Sequence, residues 1–316
     1  MPYCKCGRFI REGVTAYCVQ CGFETRPPAA TAESRSNEGP APGETLMTEE
    51  ALRSPGERIA LIAGLGLLVT SWLLFDLVTD AVPLAVVSLG LMIYVVYQQG
   101  AVKGSAVAVN PRSFPEVDSL AQTAAARLGI WKPNLFIRRS DELNAYAMGL
   151  LGSSWVVLHS GTVHALRNTP KELQFVIGHE FTHIKCSHVL WQTVAANNPI
   201  LGRIPILNSV LPLFFRWWSR QAEYTADRGG FVACGDLAAS QRALARLVIG
   251  PELFDRLNIE EFVEQGRKGD LSMRASELFS THPFVAKRLL ALAEFARSPQ
   301  GESVRRADHA ASGSRR

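Results

Sequence analysis

The sequence predicts an α+β chain: a mainly helical domain with a small antiparallel or mixed sheet, preceded by a two-helix membrane hairpin and a small N-terminal metal-bound module. Three observations carry this expectation. Four cysteines stand in two close pairs near the start, and two runs of 17 residues without any charge follow at 59–75 and 81–97. From Pro115 onward, segments with helical periodicity alternate with short strand-like runs, the pattern of an α+β domain.

Cys4-Lys-Cys6 and Cys18-Val-Gln-Cys21 place four thiolates in two pairs, a spacing that closes a tetrahedral structural zinc site. The first pair is C-x-C rather than C-x-x-C, so residues 1–25 resemble a short zinc ribbon with an irregular first knuckle. So short a segment buries too little apolar surface to fold alone, and a metal supplies the missing free energy. Two disulfides are the alternative, and they need an oxidising compartment. Residues 26–56 are rich in Pro, Ala, Ser, Glu and Gly, and are expected to be a flexible linker.

As a helix, each uncharged run covers roughly 25 Å, the short end of a membrane span. The connection from Asp76 to Asp80 suits the tip of a hairpin over residues 57–100. Arg53 and Arg58 precede the pair, Lys103 and Arg112 follow it, and the tip carries only acidic charge. The positive-inside rule then places both ends, and so the ribbon and the later domain, in the cytoplasm, where thiols stay reduced. The first run begins behind the cysteine module, which argues for a span rather than a cleaved signal. A buried helical hairpin in a soluble core is the alternative. With 47% hydrophobic residues and a mean hydropathy of +0.06, the chain fits a membrane-anchored domain better than a polytopic transporter. Thirty-three basic against 29 acidic residues are too even for a nucleic-acid partner, and the excess suits an anionic lipid bilayer.

The domain over 101–297 opens with a helix predicted at 115–128 and stopped by Gly129. Strands follow near 135–138, 144–148 and 155–159. Thr169-Pro170-Lys171-Glu172 reads as a capping box with Pro at the first helical position, and its helix carries His179-Glu180-Phe181-Thr182-His183. His179 and His183 lie on one helix face and can share a zinc ion, with Glu180 beside the metal's open position. A zinc that does chemistry needs a third protein ligand and leaves the fourth position to water. Glu223 and Asp227, four apart, supply the candidates: Glu223 as ligand, Asp227 as the hydrogen-bond partner of a ligating imidazole, His179 first. A solvated acidic face flanked by Arg220 and Arg228 is the alternative. In such a site zinc lowers the pKa of its bound water to about 7, and Glu180 can take the water's proton and pass it to the leaving amine. Cys186, on an apolar helix, reads as a buried thiol, and neither His164 nor His188 has a ligand-like spacing.

H-E-x-x-H followed after a few dozen residues by E-x-x-x-D resembles the M48 family of zinc metallopeptidases, the gluzincins that include the membrane heat-shock protease HtpX and the CAAX prenyl protease. Asn144-Ala145-Tyr146-Ala147 resembles the family's N-A-[FY]-A edge strand, and Thr281-His282-Pro283 with Arg288 its late T-H-P-x-x-x-x-R motif. The likeness runs from about Ser113 to Phe295, over half of the chain. It implies a gluzincin-type fold and a zinc endopeptidase acting on protein or peptide substrates, which would add as a strand along Asn144, Ala145, Tyr146 and Ala147. It also implies an oxyanion donor in His282 and, in Arg288, a residue that orders the carboxylates or His282. Without the resemblance, 144–147 is an ordinary half-buried strand, and His282 the neighbour of a helix N-cap.

Members of the HtpX type carry a second membrane hairpin where this chain has residues 189–218, an apolar stretch broken by Asn197, Asn198, Pro199, Arg203, Pro205, Asn208 and Pro212. Helices on the membrane surface or over the cleft are expected, with Phe214, Phe215, Trp217 and Trp218 as an aromatic anchor, or else an irregular buried loop. The polar, basic tail at 298–316 is expected to be disordered. The resulting expectation is a membrane-anchored zinc metalloendopeptidase of membrane or unfolded-protein quality control. A CAAX-type processing protease and a catalytically silent adaptor that recruits partners through the ribbon are the alternatives. The first lacks the spans of an enclosed chamber; the second sits poorly with an intact set of His179, Glu180, His183 and Glu223.

Overall fold

The computed structural model describes residues 47–78, 84–150, 153–196, 205–254, 256–268, 272, 276–277, 280 and 282–313. The chain divides between Gly39 and Pro40, and every described residue belongs to the second unit. Cys4, Cys6, Cys18 and Cys21, with the expected zinc ribbon, lie outside the described residues, as does Thr281.

The expected linker over 26–56 ends in folded chain. Helix α1 (Glu49–Leu52) is capped by the Thr48 hydroxyl, which accepts from the Ala51 N–H. Met47 and Leu52 are buried in the main core. The Ser54 N–H donates to Thr225 Oγ1 at 2.7 Å, and Arg228 donates to the carbonyls of Leu52 and Arg53. The Ser54 N–H and the Leu52 and Arg53 carbonyls thus find partners more than a hundred residues away, which composition does not reveal.

The two uncharged runs fall on α2 (Glu57–Val78) and α3 (Leu84–Ser105) and the residues between them. Among the described residues, no helix is long and apolar enough to cross a membrane. Ala60 and Leu68 of α2 pack against a later helix, whereas Ile59, Ile62, Val69 and Leu73 are exposed.

Four strands form a mixed sheet: β1 (Ala106–Ala108), β2 (Asn134–Arg138), β3 (Ala145–Leu150) and β4 (Ser153–His159), in the order β1-β2-β4-β3. Only the β2–β4 pair is parallel. Side chains alternate between the faces. Leu135, Ile137, Val156 and Leu158 enter the main helical core, while Trp155 and Val157 meet Val102 of α3 on the other face. Strand β3 is left at an edge, as expected. Between β1 and β2 runs α4 (Pro115–Leu128), ended where predicted by Gly129 at φ +64°. The Ile130 N–H returns to the Ala125 carbonyl, closing the helix end.

After α5 (Ser160–Ala165) come α6 (Pro170–Lys185) and α7 (His188–Ala196). Helix α6 starts at Pro170 as predicted, but the capping box is not formed. Thr169 Oγ1 donates to the Leu166 carbonyl, and buried Glu172 pairs instead with Arg242 and Arg246 at 2.9 and 3.0 Å. Residues 205–218 are helical, not an irregular loop. They are the first half of α8 (Pro205–Cys234), which runs through Pro212. Leu211, Phe215, Trp218 and Ala222 repeat on one face and pack on Ala60 and Leu68. Phe215 and Trp218 are therefore core residues, not headgroup anchors.

Helices α6 and α8 cross at glycines. A Cβ on Gly178 would lie 2.2 Å from Ala233 Cβ, one on Gly229 1.7 Å from Thr182 Oγ1, and one on Gly230 2.8 Å from the Phe175 ring. The two backbones approach closely only because those side chains are missing.

The remaining helices are α9 (Leu237–Ile249), α10 (Pro251–Phe254), α11 (Ile259–Arg267), α12 (Val285–Arg297) and α13 (Pro299–Gly313). Helix α13 corrects the expected disordered tail. Val304 is fully buried, and Asp308 accepts from Arg127 at 2.7 Å and Lys171 at 3.1 Å. A polar composition hides a docked helix when its charges meet fixed partners.

Candidate metal centre

The glycine crossing sets one face of α6 against one face of α8. His179 and His183 come from α6, Glu223 and Asp227 from α8, and all four are buried. The two Nε2 atoms are 3.2 Å apart. Glu223 Oε2 lies 3.6 Å from His179 Nε2, and its Oε1 lies 3.7 Å from His183 Nε2. The three residues offer one ligand atom each within 4.8 Å of one another. Two nitrogens bound to one zinc at the tetrahedral angle lie about 3.3 Å apart, so the donor set fits that ion.

The other ring nitrogens explain why both Nε2 atoms face inward. Asp227 Oδ1 is 3.1 Å from His179 Nδ1, and an ionised carboxylate can only accept, so that nitrogen carries the proton. This is the partnership expected for Asp227. His183 Nδ1 lies 2.9 Å from Nδ1 of His188. Sequence spacing did not single out His188, which is fully buried and reaches Glu57 at the start of α2, 3.0 Å away.

Arg288 on α12 binds Asp227 in a fork, Nε to Oδ2 at 2.8 Å and Nη2 to Oδ1 at 2.6 Å, and its Nη1 stands 3.1 Å from Glu223 Oε2. Burial alone would raise both carboxyls, but the Arg288 charge together with the neighbouring histidines outweighs it: Glu223, which also takes a hydrogen bond from His282, is held well below the usual carboxylate range, and Asp227, hydrogen-bonded to Arg288 and His179, below its own. Burial works against the Arg288 charge, yet the two carboxylates overcome it and raise its pKa further. At His183 burial prevails and lowers the pKa. At His179 burial is outweighed by the Asp227 hydrogen bond and Glu223, and the pKa rises.

Glu180 is buried beside the pair. Burial first, and Glu223 after it, push its carboxyl up to about 7 against the opposing effects of His179 and a hydrogen bond from the Ala147 N–H. Edge strand β3 thus touches the site directly. His282 lies in the loop before α12, its Nδ1 3.2 Å from Glu223 Oε1 and its side chain 65% exposed. The hydrogen bond to Glu223 raises its pKa. Phe284, two residues beyond His282, stands at the helix N-cap. Asn144 precedes β3, and its carbonyl accepts from the His159 N–H and the Thr162 hydroxyl.

His179, Glu180, His183, Glu223, His282 and Arg288 line a cleft of about 270 Å³, bordered on one side by Asn144, Ala145, Tyr146 and Ala147 and on another by Phe175, Val176, Leu244 and Leu247. Cys186 is buried away from it, its thiol pushed up to about 12 by burial.

A His-Glu-x-x-His helix crossed by a second helix carrying a carboxylate, at a cleft edged by a strand, defines a metallopeptidase-type centre. Residues 111–296 match the model of peptidase family M48, and the chain belongs to that family. It is 30% identical over 220 residues to the plastoglobule-localized metallopeptidase 48, chloroplastic, of Arabidopsis thaliana, covering 64% of this chain and 62% of that protein. It is 28% identical over 220 residues to a protease HtpX homolog of Moorella thermoacetica, covering 57% of this chain and 72% of that protein. The chain thus spans less than two thirds of the Arabidopsis relative.

Proposed function

We propose that this chain is a zinc-dependent endopeptidase, held at a membrane by α2 and α3 with its catalytic domain on the cytoplasmic side, acting on membrane or unfolded proteins. The observation that carries the reading is the convergence of His179 Nε2, His183 Nε2 and the Glu223 carboxylate on one point beside Glu180. Zinc held there would supply Lewis acidity toward the scissile carbonyl and acidify a water molecule.

The chain's own residues do the rest. The free edge of β3 lets an extended substrate add as a strand through backbone groups, whatever its side chains. Asn144, its carbonyl tied to His159 and Thr162, fixes where that edge begins. Glu180 is placed to accept the water's proton and to deliver it to the leaving amine. His282, at the mouth of the cleft, is placed to donate to the oxyanion. Arg288 holds Glu223 and Asp227 in register, and Asp227 holds His179. Exposed Ile59, Ile62 and Leu73 on α2 and Met92, Ile93 and Val96 on α3 support contact with lipid. Cys4, Cys6, Cys18 and Cys21 would hold a second, structural zinc.

Casein cleavage by the detergent-solubilised chain, with and without a chelator and alongside Glu180→Gln, tests the reading. Wild type should cleave, lose activity to the chelator and regain it with zinc, while Glu180→Gln keeps zinc and does not cleave. Equal cleavage by the two proteins contradicts the mechanism, and recovery of the chain in the soluble fraction after alkaline extraction of membranes contradicts the anchoring.

A further inference from the structure

Behind His183 runs a buried line of polar side chains. His183 Nδ1 is 2.9 Å from His188 Nδ1, and His188 Nε2 is 3.0 Å from Glu57 Oε1. The side chains of His188 and Glu57 are wholly buried. Glu57 also receives Arg53 on Oε1 and the Thr225 hydroxyl on Oε2.

Hydrogen-bond chemistry gives the line a direction. A carboxylate paired with Arg53 only accepts, so the proton between Glu57 and His188 sits on His188 Nε2. A neutral imidazole protonated there offers Nδ1 as an acceptor. The proton between the two Nδ1 atoms therefore belongs to His183, whose Nε2 is left as a lone pair turned toward His179 Nε2, 3.2 Å away. Asp227 does this for His179 in one step, whereas His183 has no carboxylate on Nδ1 and receives the same instruction in two.

The segment that supplies Glu57 is itself pinned. Besides the Ser54 bond to Thr225, Arg53 Nη2 donates to the Cys186 carbonyl at 3.0 Å, and Arg228 Nη1 donates to the Arg53 carbonyl at 2.9 Å. Residues 52–57 are thereby held against the C-terminal end of α6 and the middle of α8.

We propose that Glu57 and His188 are positioning residues of the metal centre: Glu57 sets the His188 tautomer, and His188 in turn fixes the tautomer and rotation of His183. The inference rests on the reading of the site as a zinc centre, and it makes zinc affinity depend on a carboxylate carried by the segment that enters α2.

The test is zinc affinity in the full chain, read by chelator competition with zinc counted per chain by mass spectrometry; the zinc that His183→Ala retains marks what is held elsewhere. Loss of an outer partner of a ligating histidine costs about 10–100-fold in metal affinity. His188→Leu and Glu57→Gln should each show a loss of that size, and Glu57→Gln should add nothing in the His188→Leu background. His188→Asn, whose Oδ1 takes the place of Nδ1 as acceptor, should recover part of the affinity. Phe215→Ala, which opens the contact between α2 and α8 without touching the line, should lower the melting temperature and leave zinc affinity unchanged. Should Glu57→Gln not fold, the comparison of His188→Asn with His188→Leu decides. Wild-type affinity in a folded His188→Leu chain, additive losses, or an equal loss in Phe215→Ala overturns the proposal. A wild type holding no more zinc than His183→Ala overturns the zinc reading itself.

Discussion

Replacing Gly178 by alanine perturbs the helix crossing on which the site depends. The new methyl would lie 2.2 Å from Ala233 Cβ and 3.2 Å from Gly230 Cα. Carbon atoms rest about 3.5–4.0 Å apart, so α6 and α8 must part by roughly 1.3 Å or more along that line. Overpacking of this kind costs about 1–3 kcal/mol, and alanine returns about 0.8–1 kcal/mol of helix propensity relative to glycine. The net loss of stability is then modest, about 0–2 kcal/mol. The loss of function should be larger, because a displacement of about 1 Å between catalytic groups costs on the order of 100-fold in rate. Moving the methyl across the interface in Gly178→Ala/Ala233→Gly removes the 2.2 Å contact and cancels the propensity terms. Peptidase kcat/KM and the melting temperature, measured for both single variants and the double, check this. Gly178→Ala at wild-type activity, or a double variant no better than Gly178→Ala, would refute the reasoning.

Other consequences concern charge and exposure. Arg288→Ala strands Asp227 and Glu223, and breaking such a buried pair costs about 3–5 kcal/mol; urea denaturation of the metal-free chain should show it, with partial recovery in Arg288→Lys, which keeps the charge but not the fork. Burial raises the Asp308 carboxyl, but hydrogen bonds from Lys171 and Arg127 outweigh it and the net direction is down. Its contribution to the docking of α13 is therefore present above the ordinary Asp value of about 3.9 and is lost as pH falls through the lower folded value. Amide exchange in α13 should accelerate on acidification through that range, and Asp308→Asn should remove the dependence. Cys186 and Cys234 are buried free thiols, with Cys186 pushed up to about 12. Peptide mapping should find both unmodified by iodoacetamide in the native chain and modified after unfolding.

What the sequence reveals about this site follows the reach of local rules. The i, i+4 spacing on a helix brings out His179 with His183 and Glu223 with Asp227, and the structure brings the two pairs together. Gly129 ends α4 where its backbone freedom is needed, and period-two alternation gives the strands. Arg288 and the edge strand came only through the family's motifs. The role of His188, set aside for want of a ligand-like spacing, and that of Glu57 are not legible in the sequence because their partnership spans 131 residues, and because Glu57 reads as the polar start of an apolar run. Residues 205–218 are obscured by Pro205, Asn208 and Pro212, although Leu211, Phe215, Trp218 and Ala222 repeat at helical spacing. A visible cue also existed for the crossing itself: Gly178 inside one helix and Gly229-Gly230 inside another mark a close backbone approach.

The central claim is that His179, His183 and Glu223 hold one zinc ion. Anomalous scattering at the zinc edge from crystals of the full chain tests it most directly. The account predicts a peak at bonding distance from His179 Nε2, His183 Nε2 and a Glu223 oxygen, with His188 turned away from the metal. A peak ligated by His188 or Cys186 in place of Glu223, or no peak at the glycine crossing in zinc-loaded protein, would contradict it.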